Sequence, residues 1–340
     1  MISTQQLSAT IEAIAVPGKG ILAADESTST ITKRFQSINV ESTEENRRIY
    51  RSLLCTTPNI QDYINGVILY EETLGQKTDQ GQLIPLTLEK NHIVPGIKVD
   101  KGLVDFQNST EEKVTQGLDD LDARMNAYKQ QHARFAKWRV VFSISSSLPT
   151  QAVINANAES LAKYAAICQK NGIVPIVEPE VLMEGSHTLL RCHEVTSAVL
   201  KTVFETLPKH GVILDYIILK PNMVVPGKEC ADQRNPEAIA TATLDVLKTY
   251  VPAAVPTINF LSGGQSAVDA TINLNAINSQ GKQPWLLSYS YGRALQDPCL
   301  KAWKGNLENI NAAQKELFKR AKLNSLASLG KYNVSMENEG

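Results

Sequence analysis

Eight short apolar runs punctuate the chain, at residues 20–24, 66–70, 93–99, 139–144, 172–177, 216–219, 257–261 and 285–289. Most are continuous rather than alternating, as in strands of a parallel sheet buried on both faces. Between them the pattern switches to helical spacing. Leu7, Ile11 and Ile14 follow a capping box of Ser3 and Gln6, and Pro17-Gly18 ends that helix. Leu118, Leu121, Met125 and Tyr128 share one face, and Leu161, Tyr164, Ala165 and Cys168 another, with Asn171-Gly172 as its stop. Asn235-Pro236 caps a helix carrying Ile239, Val246, Leu247 and Tyr250, and beyond Arg293 the pattern is helical to about Gly330. Eight strands alternating with helices predict an α/β fold, a (β/α)8 TIM barrel with additional N- and C-terminal helices. The open doubly wound sheet is disfavoured because no G-x-G-x-x-G follows the first run. A single domain is expected over residues 1–340, with a short flexible C-terminal tail from about 331.

Composition narrows the function classes. The formal net charge of −1 gives no reason to expect nucleic acid or an anionic membrane as partner. No apolar stretch approaches the roughly 18 residues of a membrane-spanning helix, and the first residues lack the profile of a signal or transit peptide, so a cytoplasmic protein is expected. The five cysteines are scattered with no C-x-x-C pair, which suits reduced thiols. The histidines lack ligand spacing, and no metal site or cofactor is expected.

Candidate chemistry gathers where the runs end. The sixth run passes straight into Lys220, and Pro221 stops the strand there. In a barrel, the C-terminal strand ends are where catalytic side chains sit. An amine against an apolar wall is disfavoured in its charged form and can attack a carbonyl. Asp25, Lys98, Glu178 and Glu180 end other runs, with Lys137 and Arg139 around the fourth. Nearby cations are expected to depress the pKa of Lys220 further, and the carboxylates offer the proton transfers an imine requires. Lys137 is anomalous: it lies at the start of the fourth run, toward the opposite face, yet shares strand parity with Arg139 and Ser143. Ser262, Gly263 and Gly264 after the seventh run, and Ser290, Gly292 and Arg293 after the eighth, occupy the loops that commonly bind phosphate in barrels. Leu261-Ser-Gly-Gly-Gln265 also spells an ABC-transporter ATPase signature, but the chain has no G-x-x-x-x-G-K-[ST] loop to accompany it.

These residues carry a resemblance. Gly20-Ile-Leu-Ala-Ala-Asp-Glu-Ser-Thr28, Gly96-Ile-Lys-Val-Asp-Lys101, Phe135-Ala-Lys-Trp-Arg139, the run from Asn171 to Glu180, Leu219-Lys-Pro-Asn-Met223, Leu261-Ser-Gly-Gly-Gln-Ser266 and Ser290-Tyr-Gly-Arg-Ala-Leu295 stand in order along the chain. The sequence resembles the class I, Schiff-base fructose-bisphosphate aldolases. That resemblance implies a metal-independent barrel, usually a homotetramer, that cleaves fructose 1,6-bisphosphate reversibly in glycolysis and gluconeogenesis. It implies Lys220 as the imine lysine, Glu178 as the proton shuttle with Lys137 beside it, Asp25 assisting C–C cleavage, and Glu180 supporting the lysines. It places one phosphate at Ser262, Gly263, Gly292 and Arg293, and the other phosphate and hydroxyls near Ser27, Lys33, Arg34, Lys98 and Arg139.

Three positions depart from the family pattern. Ser29-Thr30 stands where a glycine and a serine are usual, and Ser143 replaces a common strand lysine. The chain also stops shortly after Gly330-Lys331-Tyr332, where animal and plant relatives continue to a tyrosine thought to assist proton exchange on the enamine; slower enamine protonation, or another acid, is expected. Two other readings compete. One keeps the chemistry on sedoheptulose 1,7-bisphosphate or fructose 1-phosphate. The other is a non-catalytic scaffold for cytoskeletal or membrane partners, against which the complete set Asp25, Lys137, Glu178 and Lys220 argues.

Overall fold

The computed structural model describes residues 4–107, 109–231 and 235–338. Helix α1 (Thr4–Ile14) is followed by β1 (Gly20–Ala24), α2 (Thr28–Gln36), α3 (Glu44–Cys55), β2 (Ile64–Leu69), α4 (Glu71–Leu74), α5 (Ile84–Lys90) and β3 (Val94–Lys98). Next come β4 (Leu103–Phe106), β5 (Ser109–Thr115), α6 (Leu121–Gln130), β6 (Phe135–Phe142), α7 (Gln151–Lys170), β7 (Val174–Val181), α8 (Leu189–Thr206) and β8 (Ile218–Leu219). The chain finishes with α9 (Pro236–Tyr250), β9 (Thr257–Phe260), α10 (Ala267–Asn278), β10 (Leu286–Tyr291), α11 (Arg293–Trp303) and α12 (Ile310–Ser328). Strands β1, β2, β3, β6, β7, β8, β9 and β10 close into one parallel barrel, as the eight runs predict.

Strand parity divides the interior from the helical shell. Ile21, Ala23, Ile68, Val94, Phe135, Val174, Ile176 and Ile218 form an inner cluster that Leu7, Ile11 and Ile14 of α1 close from below. The alternate residues, among them Leu22, Val67, Ile97, Trp138, Val140, Val177 and Leu219, pack outward against the helices. Following the inward parity along each strand carries it from apolar to charged: Val94 to Lys98, Phe135 to Lys137 and Arg139, Ile176 to Glu178 and Glu180, Ile218 to Lys220.

The strand boundaries differ from the expected runs at several ends. The fourth strand, β6, begins at Phe135 rather than Arg139, which places Lys137 level with Lys98, the last residue of β3. The apparent anomaly at Lys137 is thereby removed. Glu178 and Glu180 lie within β7, not beyond it, and β10 continues through Ser290 and Tyr291. The sixth strand is only two residues long, but Lys220 N–H donates to the Val177 carbonyl at 2.8 Å and extends the pairing by one. The antiparallel hairpin β4–β5 was not foreseen, because its residues are short, charged and largely exposed. The last helical stretch is two helices, divided where Lys304 and Gly305 take positive φ. Asn235 caps α9 as expected, accepting from the N–H groups of Glu237 and Ala238, while Ser3 of the first capping box lies outside the described residues.

Residues 331–338, expected as a loose tail, are docked. Arg320 Nη1 donates to both carboxylate oxygens of Glu337 at 2.7 and 2.6 Å, and the Tyr332 hydroxyl donates to the same group at 2.9 Å. A buried arginine needs such a counter-ion, so the tail is drawn onto α12.

Candidate active site

A cavity of about 570 Å³ opens at the C-terminal end of the barrel, between the ends of all the charged strands. Lys137 Nζ sits at its floor, 2.8 Å from Asp25 Oδ2, 3.4 Å from Glu178 Oε2 and 3.9 Å from Asp100 Oδ2. Lys220 Nζ lies 3.1 Å from the other oxygen, Glu178 Oε1. One carboxylate therefore bridges two buried lysine side chains. Strand order sets this arrangement, since it interposes Glu178 on β7 between Lys137 on β6 and Lys220 after β8.

Burial disfavours charge on Lys137, but Asp25, Glu178 and Asp100 outweigh it and raise its pKa well above the ordinary value. Burial likewise acts to raise Asp25, and is overcome by Lys137, then Lys220 and Lys98, which hold its carboxyl well below the usual range. Asp25 is thus an anion and Lys137 a cation at neutral pH. Glu180, expected to support the lysines, pairs instead with Arg139 Nε at 2.5 Å, since the two strands place Arg139 and not a lysine beside it.

The upper walls are basic and hydroxylic. Ser27 caps α2 by accepting from Thr30 N–H, and the turn that follows brings Lys33 and Arg34 to the cavity. Lys98 and Arg139 line it too, Lys98 being held by Asp100 at 2.5 Å. Ser262, Gly263, Ser290, Gly292 and Arg293 also line the cavity, with Arg34 lying close to Gly292. Gly263 has φ +56°, a conformation that favours glycine, and its carbonyl accepts from Arg293 Nη2. Gly292 opens α11, whose first amides have no partner within the helix and suit an anion. The buried Ser290 Oγ has no hydrogen-bond partner among the described residues. Gly264 is the one expected residue that does not line the cavity; the Lys228 side chain lies against it instead.

The acidic groups missed by reasoning from sequence are Asp100, Glu26 and Asp297, the last of which also lines the cavity. Asp100 restrains both Lys98 and Lys137, and the Lys98-x-Asp100 spacing was its only signal. Glu26, buried beside Asp25, pairs with Arg34 at 2.7 Å and Arg51 at 2.8 Å, and only Arg34 was suspected.

Residues 6–340 match the family model described as fructose-bisphosphate aldolase class-I. The chain belongs to this family. It is 53% identical to cytosolic fructose-bisphosphate aldolase 4 of Arabidopsis thaliana over 98% of its own length and 85% of that relative's. Fructose-bisphosphate aldolase 2 of Caenorhabditis elegans is 56% identical, over 93% of this chain and 86% of that one. Among solved structures, the Plasmodium falciparum aldolase in complex with TRAP and a small-molecule inhibitor superposes with a TM-score of 0.95 at 48% identity, over 97% of this chain and 95% of that one. This aldolase is therefore a lyase whose substrates are phosphorylated sugars.

Proposed function

We propose that the protein cleaves fructose 1,6-bisphosphate reversibly to dihydroxyacetone phosphate and glyceraldehyde 3-phosphate through an imine on Lys220. The observation that carries this reading is the Glu178 carboxylate held between Lys220 and Lys137 at 3.1 and 3.4 Å. Glu178 accepts a proton from Lys220, freeing the amine to attack the ketone carbon, and returns one to the carbinolamine hydroxyl so that it leaves as water. The resulting iminium draws electrons from the adjacent carbon. Asp25, anionic beside Lys137, takes the proton of the C4 hydroxyl; the C3–C4 bond then breaks, the aldehyde departs, and its bonding pair is held as a neutral enamine. Protonation of the enamine and hydrolysis of the imine release dihydroxyacetone phosphate.

The basic groups Lys33, Arg34, Lys98, Arg139 and Arg293 line the cavity, which suits a substrate carrying more than one phosphate. Fructose 1,6-bisphosphate is expected to show a higher specificity constant than fructose 1-phosphate, as steady-state kinetics on the two sugars will report. Borohydride trapping with dihydroxyacetone phosphate in excess EDTA, followed by peptide mass mapping, tests the chemistry. An adduct on Lys220 is the expected result, and a folded protein with no adduct overturns the mechanism. We further propose a homotetramer, for which light scattering will give about four times the 37.3 kDa chain mass, and a cytosolic location, in keeping with the Arabidopsis relative's name.

A further inference from the structure

The loops after β7 and β8 are laced together. Gly227 N–H donates to the His187 carbonyl at 2.8 Å, Lys228 N–H to Met183 at 2.9 Å, and Glu229 N–H to Gly185 at 3.0 Å. Their approach is so close that a Cβ at Gly227 would lie 2.1 Å from the Gly185 carbonyl oxygen. This lacing carries Lys228 across to the loop after β9. A Cβ at Gly264 would meet Lys228 Cε at 2.2 Å and Nζ at 2.7 Å, so the lysine stem rests on the backbone beside Gly263. Glu184 Oε1 holds the ammonium at 3.0 Å, with the Lys228 and Glu184 side chains 39% and 63% exposed. Burial acts to raise the Glu184 pKa, but Lys228 and, more weakly, Arg293 keep it below the ordinary value.

We propose that Lys228 is a specificity-determining cation of the subsite formed by Ser262, Gly263, Gly292 and Arg293, and that Glu184 is its resting counter-ion, displaced when the substrate's phosphate arrives. The inference rests on the reading that these loops take the phosphate on the ketone half. An exposed ammonium–carboxylate pair is weakly held and readily screened. A phosphate monoester carries a charge of about −1.5 to −2 near neutral pH, more than the single charge of a carboxylate. Lysine, a point charge on a flexible stem, can turn from one to the other without the alignment an arginine fork requires. The glycine at 264 makes this possible, since any side chain there would occupy the space of the lysine stem.

Half-saturation of borohydride trapping by dihydroxyacetone phosphate, measured across a range of salt concentrations, tests the assignment. Lys228→Met is expected to raise the half-saturating concentration about two- to fivefold, the range of one exposed charge interaction, and to flatten its salt dependence. Glu184→Gln is expected to lower it by roughly twofold, because the cation is released to the phosphate. The double variant should behave as Lys228→Met alone. A merely structural tie between loops would make both single variants weaker or leave both unchanged, and either result overturns the proposal. Arg293→Met tests the subsite itself: an unchanged half-saturation there removes the underlying phosphate reading, and this proposal with it.

Discussion

Asp25 shows how residue type and surroundings divide the work at the level of single groups. As a strand-end carboxylate it was legible in the sequence, whereas its state at neutral pH depends on an ammonium from a different strand, 2.8 Å away. Because the folded-state pKa is depressed, its contribution to stability is present above the unfolded value and is lost as pH falls through the folded one. Asp25→Asn is therefore expected to flatten the acid limb of the stability–pH profile below about pH 4, measured by urea unfolding at successive pH values. An acid limb as steep as that of the parent would show that Asp25 is not held in this way. Lys137 was harder to place from sequence, since its position within a run decides its depth and the charges of Lys137 and Arg139 obscured where that run begins. Asp100 and Glu26 were missed for a related reason: acidic residues in a loop, or beside another acid, look like ordinary solvated positions until the fold supplies their cations.

At the scale of elements, the barrel floor depends on glycines that leave room for a ring. Gly96 of β3 faces Phe135 of β6 in register, and a Cβ there would lie 2.2 Å from the ring. Gly66 of β2 leaves similar space, with Phe135 at 3.4 Å. Gly96→Ala is expected to destabilise the protein by about 1–3 kcal/mol through overpacking, with partial recovery when Phe135→Leu is added. Denaturant midpoints of the two single variants and the double variant will measure this, and additive losses would argue against the contact. Strand and helix identities followed from apolar runs and caps, but their ends did not. The hairpin β4–β5 escaped because its pairing is antiparallel and exposed, so neither buried runs nor clean alternation announced it.

For the molecule as a whole, residues 331–338 are part of the folded body. Arg320 is 3% exposed, and its ties to Glu337 on one side and to the Ala267 carbonyl and Thr271 of α10 on the other join the tail to the helix behind the phosphate loop. Glu337→Ala should cost about 2–3 kcal/mol, as the loss of hydrogen bonds between charged groups does, and urea unfolding will register it. Equal stability of variant and parent would mean that the tail adds nothing to the fold.

The sequence by itself determined the barrel, since eight buried runs alternating with amphipathic helices have few other ways to cover both faces of their strands. It also determined the chemical inventory, because charged groups at strand ends and glycine-rich turns are local features. Which charge meets which was decided only by closure of the sheet. Glu178 lies between Lys220 and Lys137, and Glu180 takes Arg139, because the register of three neighbouring strands places them so. Lys228 reached Gly264 by the same route: two loops distant along the chain become neighbours only when the strands beneath them do.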